Sequence, residues 1–127
     1  MAYQVLMVDD SKLARMGLAK ALAGLRPDWV RLEATNADEA LALVRQSHVD
    51  IALLDFNMPG KDGLTLAAEL RELKPTMPVA VISANVQHEI VTQARELGAE
   101  FLAKPLTAAA LSEFVERAER RLKEGAE

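Results

Sequence analysis

Ile51-Ala52-Leu53-Leu54-Asp55, followed by Phe56-Asn57-Met58-Pro59-Gly60-Lys61-Asp62-Gly63, is the stretch whose reading decides the fold. Four apolar residues run without a polar break into a carboxylate. A strand that is apolar at every position, rather than at alternate ones, suits a parallel sheet covered on both faces. The segment after Asp55 holds a proline and two glycines and cannot be regular structure. Beyond it Leu66, Leu70 and Leu73 recur at helical spacing until Lys74-Pro75 stops them. Strand, loop and helix in that order are the repeating unit of an α/β sheet.

The same unit recurs on either side. Upstream, Tyr3–Val8 is a nearly unbroken apolar run ending in Asp9 and Asp10. Ala14, Leu18, Leu22 and Leu25 then mark a helix that stops near Arg26-Pro27-Asp28, and Val30–Ala34 reads as a weaker strand. Asn36-Ala37-Asp38-Glu39 has the form of a capping box, opening a helix with Ala37, Ala40, Leu41 and Val44 on one face. Downstream, Val79–Ile82 is a strand ending at Ser83, and Ile90, Ala94 and Leu97 mark a helix stopped by Gly98. Phe101–Ala103 is a short fifth strand before Lys104-Pro105. Thr107 caps a last helix carrying Leu111, Phe114, Val115, Ala118 and Leu122 on one face. The expectation is an α/β fold, (βα) five times, as one domain over residues 1–127. Right-handed crossovers make it a doubly wound five-stranded parallel sheet. Ligands of such sheets bind outside the carboxyl ends of the strands, where the strand order reverses. The residues at those ends are Asp9, Asp10, Asp55, Ser83 and Lys104.

Composition narrows the function classes. A chain of 127 residues, half of them apolar, suits one packed core. The net charge is −4, with both signs interspersed and no basic run, so neither nucleic acid nor a membrane surface is expected as a direct partner. The absence of cysteine excludes disulfides and thiolate metal sites. The first apolar run is too short and too soon charged for a signal peptide or a membrane span, and a cytoplasmic protein is the default reading.

Three carboxylates gathered from two strand ends repel one another. At roughly 4 Å and an effective dielectric near 20, each pair costs about 4 kcal/mol. A hard divalent cation relieves that cost, and a small oxygen-lined site that keeps some waters suits Mg2+. A carboxylate is also a nucleophile toward phosphorus. Catalysis of that step is mostly positioning and neutralisation of phosphoryl oxygens. Lys104 supplies a charge for it and Ser83 a hydroxyl.

At this point the chain resembles a response-regulator receiver of two-component signalling, close to single-domain chemotaxis receivers, over essentially its full length. The motifs that carry the resemblance are Val8-Asp9-Asp10-Ser11, Leu54-Asp55-Phe56-Asn57-Met58-Pro59-Gly60, Asp62-Gly63, Ser83-Ala84 and Phe101-Leu102-Ala103-Lys104-Pro105. The resemblance implies a flavodoxin-like strand order, 2-1-3-4-5. It implies that Asp55 accepts a phosphoryl group from a histidine kinase, a phosphotransfer protein or a small phosphodonor. Asp9, Asp10, Asp55 and the backbone carbonyl of Asn57 would hold Mg2+ or Mn2+. Ser83 and Lys104 would contact phosphoryl oxygens, Phe101 would turn inward as Ser83 moves, and Lys104-Pro105 would be cis. Asn57 and Asn85 would tune the lifetime of the phosphate. Output to a downstream protein would pass through a surface near Ala84, Ile90 and Phe101. Shifting such a switch from about 1:99 to about 99:1 takes about 5.5 kcal/mol. Hydrogen bonds to charged groups contribute about 1.5–3 kcal/mol each, so two or three new contacts suffice.

Other readings of the same residues are weaker. Asp55, Asn57 and Gly60 fall at positions 1, 3 and 6 of a calcium loop, but position 12 is Leu66 in place of a bidentate glutamate. Gly60-Lys61 lacks the upstream glycine and the following hydroxyl residue of a P-loop. An aspartyl phosphohydrolase of the haloacid-dehalogenase kind needs an acid/base aspartate two residues after its nucleophile; Asn57 stands there and cannot transfer a proton. Phe101 reads more readily as plain core and lacks the hydroxyl of a tyrosine. His48 and His88 read as solvated, and Trp29 as packing near the first helix–strand turn. The chain is thus expected to be a signalling switch and not an enzyme on external substrates. Phosphorelay carrier, phosphate sink and receiver piece of a larger regulator remain alternatives. The stand-alone protein is favoured, and the charged tail Arg117–Glu127 would either finish a helix or begin a linker.

Overall fold

The computed structural model of the chain describes residues 2–125, so the last two residues of the charged tail and the first methionine lie outside the described part. The chain alternates β1 (Gln4–Val8), α1 (Lys12–Leu25), β2 (Val30–Ala34), α2 (Ala37–Gln46), β3 (Ile51–Asp55), α3 (Gly63–Leu73), β4 (Val79–Ser83), α4 (His88–Glu96), β5 (Glu100–Ala103) and α5 (Ala108–Gly125). All neighbouring strands pair parallel, in the order β2-β1-β3-β4-β5. The expected strand order is therefore the observed one. The tail ends as helix as far as Gly125.

Apolar runs became the interior strands for the reason the pattern implies. Every residue of β3 and β4 is buried, and so is β1 from Val5 onward. One core layer joins Leu6, Val8 and Leu54 to α2 and α3 through Leu41, Val44, Leu66 and Leu70. The other joins Met7, Leu53 and Ile82 to α1 and α5 through Leu22, Leu111, Phe114 and Val115. The strand β2, mixed in polarity, lies at the sheet edge with Ala34 its one buried residue. Trp29 is buried beneath Tyr3 in an edge-to-face pair, ring centroids 5.9 Å apart, at the turn where packing was expected.

Local signals worked with one refinement. Asn36 Oδ1 accepts the Glu39 N–H at 2.9 Å, the first half of a capping box. The return arm goes one residue further back: Glu39 Oε1 accepts from the N–H and hydroxyl of Thr35 at 2.7 and 2.8 Å. Both bonds hold the Glu39 carboxyl below its ordinary range. Thr107 Oγ1 accepts the Ala110 N–H at 3.1 Å and caps α5 as expected.

The first helix departs from its pattern. Only Leu22 of α1 is buried; Leu18 and Leu25 are half-buried and Ala14 is exposed. Leu13 and Met16 are 77% and 59% exposed, so α1 shows apolar side chains to solvent. Its C-terminus is tied to α5 by a two-pronged ion pair from Arg26 to Glu119, both bonds 2.8 Å.

Two arginines tie the later helices to their neighbours. Arg117 of α5 pairs with Glu100 of β5. Arg71, at the end of α3, donates to the carbonyls of Pro75 and Met77 at 2.8 and 2.9 Å, and to those of Leu97 and Gly98 at 3.0 and 3.1 Å. A single guanidinium therefore joins the end of α3, the α3–β4 turn and the end of α4. At its other end α4 has no such fastening: Gln87 makes no side-chain capping bond, and Ala94 is the helix's one buried residue.

Candidate functional site

The sheet register brings the candidate residues together. Val8 is opposite Leu54, so the next residues, Asp9 and Asp55, emerge side by side. Ser83 is opposite Ala103, which puts Lys104 just beyond Ser83. Backbone bonds carry the order past the strand ends: Asp9 N–H to Ala34 O at 3.1 Å, Phe56 N–H to Ile82 O at 2.9 Å, Lys104 N–H to Ser83 O at 2.9 Å. The reversal of strand order falls between β1 and β3, where such sheets bind ligands.

Carboxylate oxygens of Asp9, Asp10 and Asp55 lie within 4.8 Å of one another. Asp55 is 5% exposed, Asp9 9%, and Asp10 is open to solvent. Lys104 Nζ donates to Asp55 Oδ1 at 2.7 Å, while its own side chain stays more than a third exposed. Burial raises the Asp9 carboxyl above its ordinary value, and the neighbouring charges of Asp55 and Asp10 push the same way. A hydrogen bond from Ser11 N–H and the charge of Lys104 oppose them without winning. One lysine thus serves three carboxylates, and the cluster keeps an excess of negative charge. Oxygen donors, crowding and unneutralised charge fit a hard divalent cation such as Mg2+.

The other candidates fall around this cluster. Asn57 is exposed and lines the cleft that Asp10, Met58 and Pro59 border. Ser83 is buried, and its Oγ accepts the Asn85 N–H at 3.0 Å, which uses a lone pair and not the hydroxyl proton. Asn85 in turn accepts from the Gln87 N–H at 3.1 Å, and both Asn85 and Ala84 are exposed. Phe101 and Ile90 are half-buried on β5 and α4, beside but not in the cluster. Lys104-Pro105 is cis, as expected. His88 is exposed; exposed His48 meets Asp50, 2.7 Å away, at the far end of the sheet from the cluster.

Gly63 explains how the loop after Asp55 closes. Its N–H donates to Phe56 O at 2.9 Å, and a Cβ there would stand 2.6 Å from Asp55 O and 2.9 Å from Phe56 Cα. Both are backbone atoms and cannot yield cheaply. Gly63→Ala should therefore cost about 1–3 kcal/mol of stability by overpacking, read by urea unfolding; unchanged stability would show that the loop re-forms without strain.

Sequence reasoning passed over Arg15. Its Nη1 donates to the backbone carbonyl of Asp9 at 2.7 Å, and its side chain is mostly buried. The signal that could have found it is a cation one helical turn beyond the capping Ser11.

Residues 5–116 match the response regulator receiver domain family. This chain is a receiver domain of that family. Curated relatives include a positive alginate biosynthesis regulatory protein of Pseudomonas aeruginosa, 41% identical over 119 residues, 91% of this chain and 47% of that protein. A transcriptional regulatory protein of Mycobacterium tuberculosis is 34% identical over 122 residues, 95% of this chain and 58% of the relative. The receiver domain thus spans about half the length of these relatives. Among solved structures, the receiver domain of Francisella response regulator 1452 is 25% identical with a TM-score of 0.81, covering 94% of this chain and 98% of that one. A CheY-like receiver from Methanospirillum hungatei, 23% identical, has a TM-score of 0.88 over 98% of this chain and 99% of its own, which speaks for the fold. Among the described residues no helix is long and apolar enough to cross a membrane.

Proposed function

We propose that this receiver domain is a phosphorylation-dependent switch in which Asp55 is the phosphoacceptor. The observation that carries the reading is the pairing of a nearly buried Asp55 with Lys104 at 2.7 Å, inside a cluster of carboxylates that one lysine leaves under-neutralised. Asp9, Asp10 and Asp55, with the backbone carbonyl of Asn57, would hold Mg2+ or Mn2+. The bound cation supplies charge for the phosphoryl oxygens and relief for the carboxylates.

In the transfer, an Asp55 carboxylate oxygen attacks phosphorus while the bond from phosphorus to the donor's nitrogen or oxygen breaks, its electron pair leaving with the donor. Lys104 holds one phosphoryl oxygen in place of the Asp55 oxygen it now binds. Ser83 donates its hydroxyl proton to another, and leaves its position under Asn85 to do so. Phe101 on the adjacent strand fills the space that Ser83 vacates, which alters the surface around Ala84 and Ile90 for a downstream protein. Water attack on the aspartyl phosphate ends the signal, with Asn57 and Asn85 flanking its approach.

The donor is a histidine kinase, a phosphotransfer protein or a small phosphodonor. Leu13 and Met16, exposed on α1 next to the carboxylates, give a protein donor an apolar contact beside the site. The reading places the chain in the cytoplasm, where phosphodonors and Mg2+ are at hand. Incubation with acetyl phosphate and Mg2+, followed by intact-mass analysis, should show a gain of one phosphoryl group that chelation of the metal prevents. No gain with acetyl phosphate or any phosphohistidine donor would overturn the reading.

A further inference from the structure

Arg15 lies on α1 with only 11% of its side chain exposed, and it holds two acceptors at once. Its Nη1 donates to Asp9 O at 2.7 Å and its Nε to Glu33 Oε1 of β2 at 2.9 Å. A guanidinium is a planar fork, so fixing one edge on a carboxylate fixes where the other edge points. The carbonyl it grips belongs to the peptide that joins Asp9 to Asp10. Because that peptide is planar and stiff, holding its oxygen also holds the Asp10 Cα, the atom from which that side chain departs. The rest of the turn is tied elsewhere: Asp9 N–H to Ala34 O at 3.1 Å, and Ser11 N–H to Asp9 Oδ1 at 2.9 Å. Arg15 adds a third tie, at the Asp9 carbonyl.

We infer that Arg15 is a positioning residue for the divalent-cation site, presetting the Asp9–Asp10 turn while offering the cation no donor atom. The inference rests on the reading of Asp9 and Asp10 as cation ligands. Its sign is opposite to that of simple electrostatics. A fixed positive charge beside a cation site weakens binding, so an arginine acting through charge alone would, on removal, tighten Mg2+ binding. One that acts by holding the turn would, on removal, loosen it. A group behind a ligand is typically worth about 10–100-fold in metal affinity.

Isothermal titration of the full chain with Mg2+, with thermal melts alongside, separates the two. Arg15→Met should bind Mg2+ about tenfold more weakly than the parent. Arg15→Lys, which can reach one acceptor but not span both, should recover part of the loss. Glu33→Ala frees the far edge of the fork without touching the turn and should weaken binding less than Arg15→Met. Arg15→Lys keeps the charge, so its residual loss cannot be electrostatic, and it carries the comparison if Arg15→Met does not fold. Unchanged or tighter Mg2+ binding in the folded Arg15→Met, or in Arg15→Lys if that variant must stand in, overturns the inference. A parent chain that binds no Mg2+ overturns the cation-site reading and this inference with it.

Discussion

Asp55→Asn should take up no phosphoryl group from acetyl phosphate and Mg2+ under conditions that label the parent, while melting as a cooperative fold. The amide has nearly the shape of the carboxylate, so the fully buried β3 need not repack. It lacks the anionic oxygen that attacks phosphorus. Lys104 loses its partner, but its side chain is more than a third exposed and can turn to water at little cost. Asp9 loses one of the neighbouring charges that raise its carboxyl. Stability should therefore hold or rise, and the intact mass should stay that of the unmodified chain. A labelled Asp55→Asn would move the nucleophile to another carboxylate, with Asp9 and Asp10 the nearest.

Asp9→Asn should weaken Mg2+ binding on the order of a hundredfold or more while making the metal-free protein more stable. The first effect removes a charged ligand from a site whose affinity rests on charged oxygens. The second follows from the carboxyl raised in the fold, chiefly by burial. A carboxyl whose folded pKa lies above its unfolded value binds protons more readily in the native state. Its ionisation costs stability, and the cost grows as pH rises from the unfolded value through the folded one. At neutral pH the full cost is present, so the variant should melt higher than the metal-free parent. As pH falls through the raised Asp9 pKa, the parent regains that stability and the two melts should converge. Saturating Mg2+ should reverse the order, because the parent is stabilised by mass action and the variant hardly so. Equal Mg2+ affinity by titration calorimetry would remove Asp9 from the ligand set.

Much of this was legible because two signals coincide in a parallel sheet. An unbroken apolar run locates each interior strand, and the first polar residue after it marks the carboxyl end where ligands gather. Asp9, Asp55 and Ser83 were found that way, and Lys104 by the same rule on the shorter β5. The rest was hidden because it depends on tertiary partners. Ala14 shares a helical row with Leu22, yet Ala14 is exposed and Leu22 alone of α1 is fully buried, with Leu18 and Leu25 packed at the margin of the core. The capping box of α2 shows Asn36 and Glu39, but not that the glutamate returns to Thr35. Arg15 and Arg71 are invisible to periodicity, since most of their acceptors are backbone carbonyls, reaching in Arg71 as far as Gly98. An arginine's letter says nothing about which carbonyls will surround it.

The fastening by Arg71 makes α4 a rod clamped at one end. Nine residues of helix are about 13 Å long. A tilt of roughly 10° about the clamped end carries the other end through about 2 Å, while the atoms at the pivot hardly shift. The moving end adjoins Asn85 and Ala84, the residues that follow Ser83. Small rotations at the guanidinium would thereby be magnified at the carboxyl end of β4, and the leverage runs equally in reverse. A ångström-scale pull on Ser83 needs only a few degrees of give at Arg71.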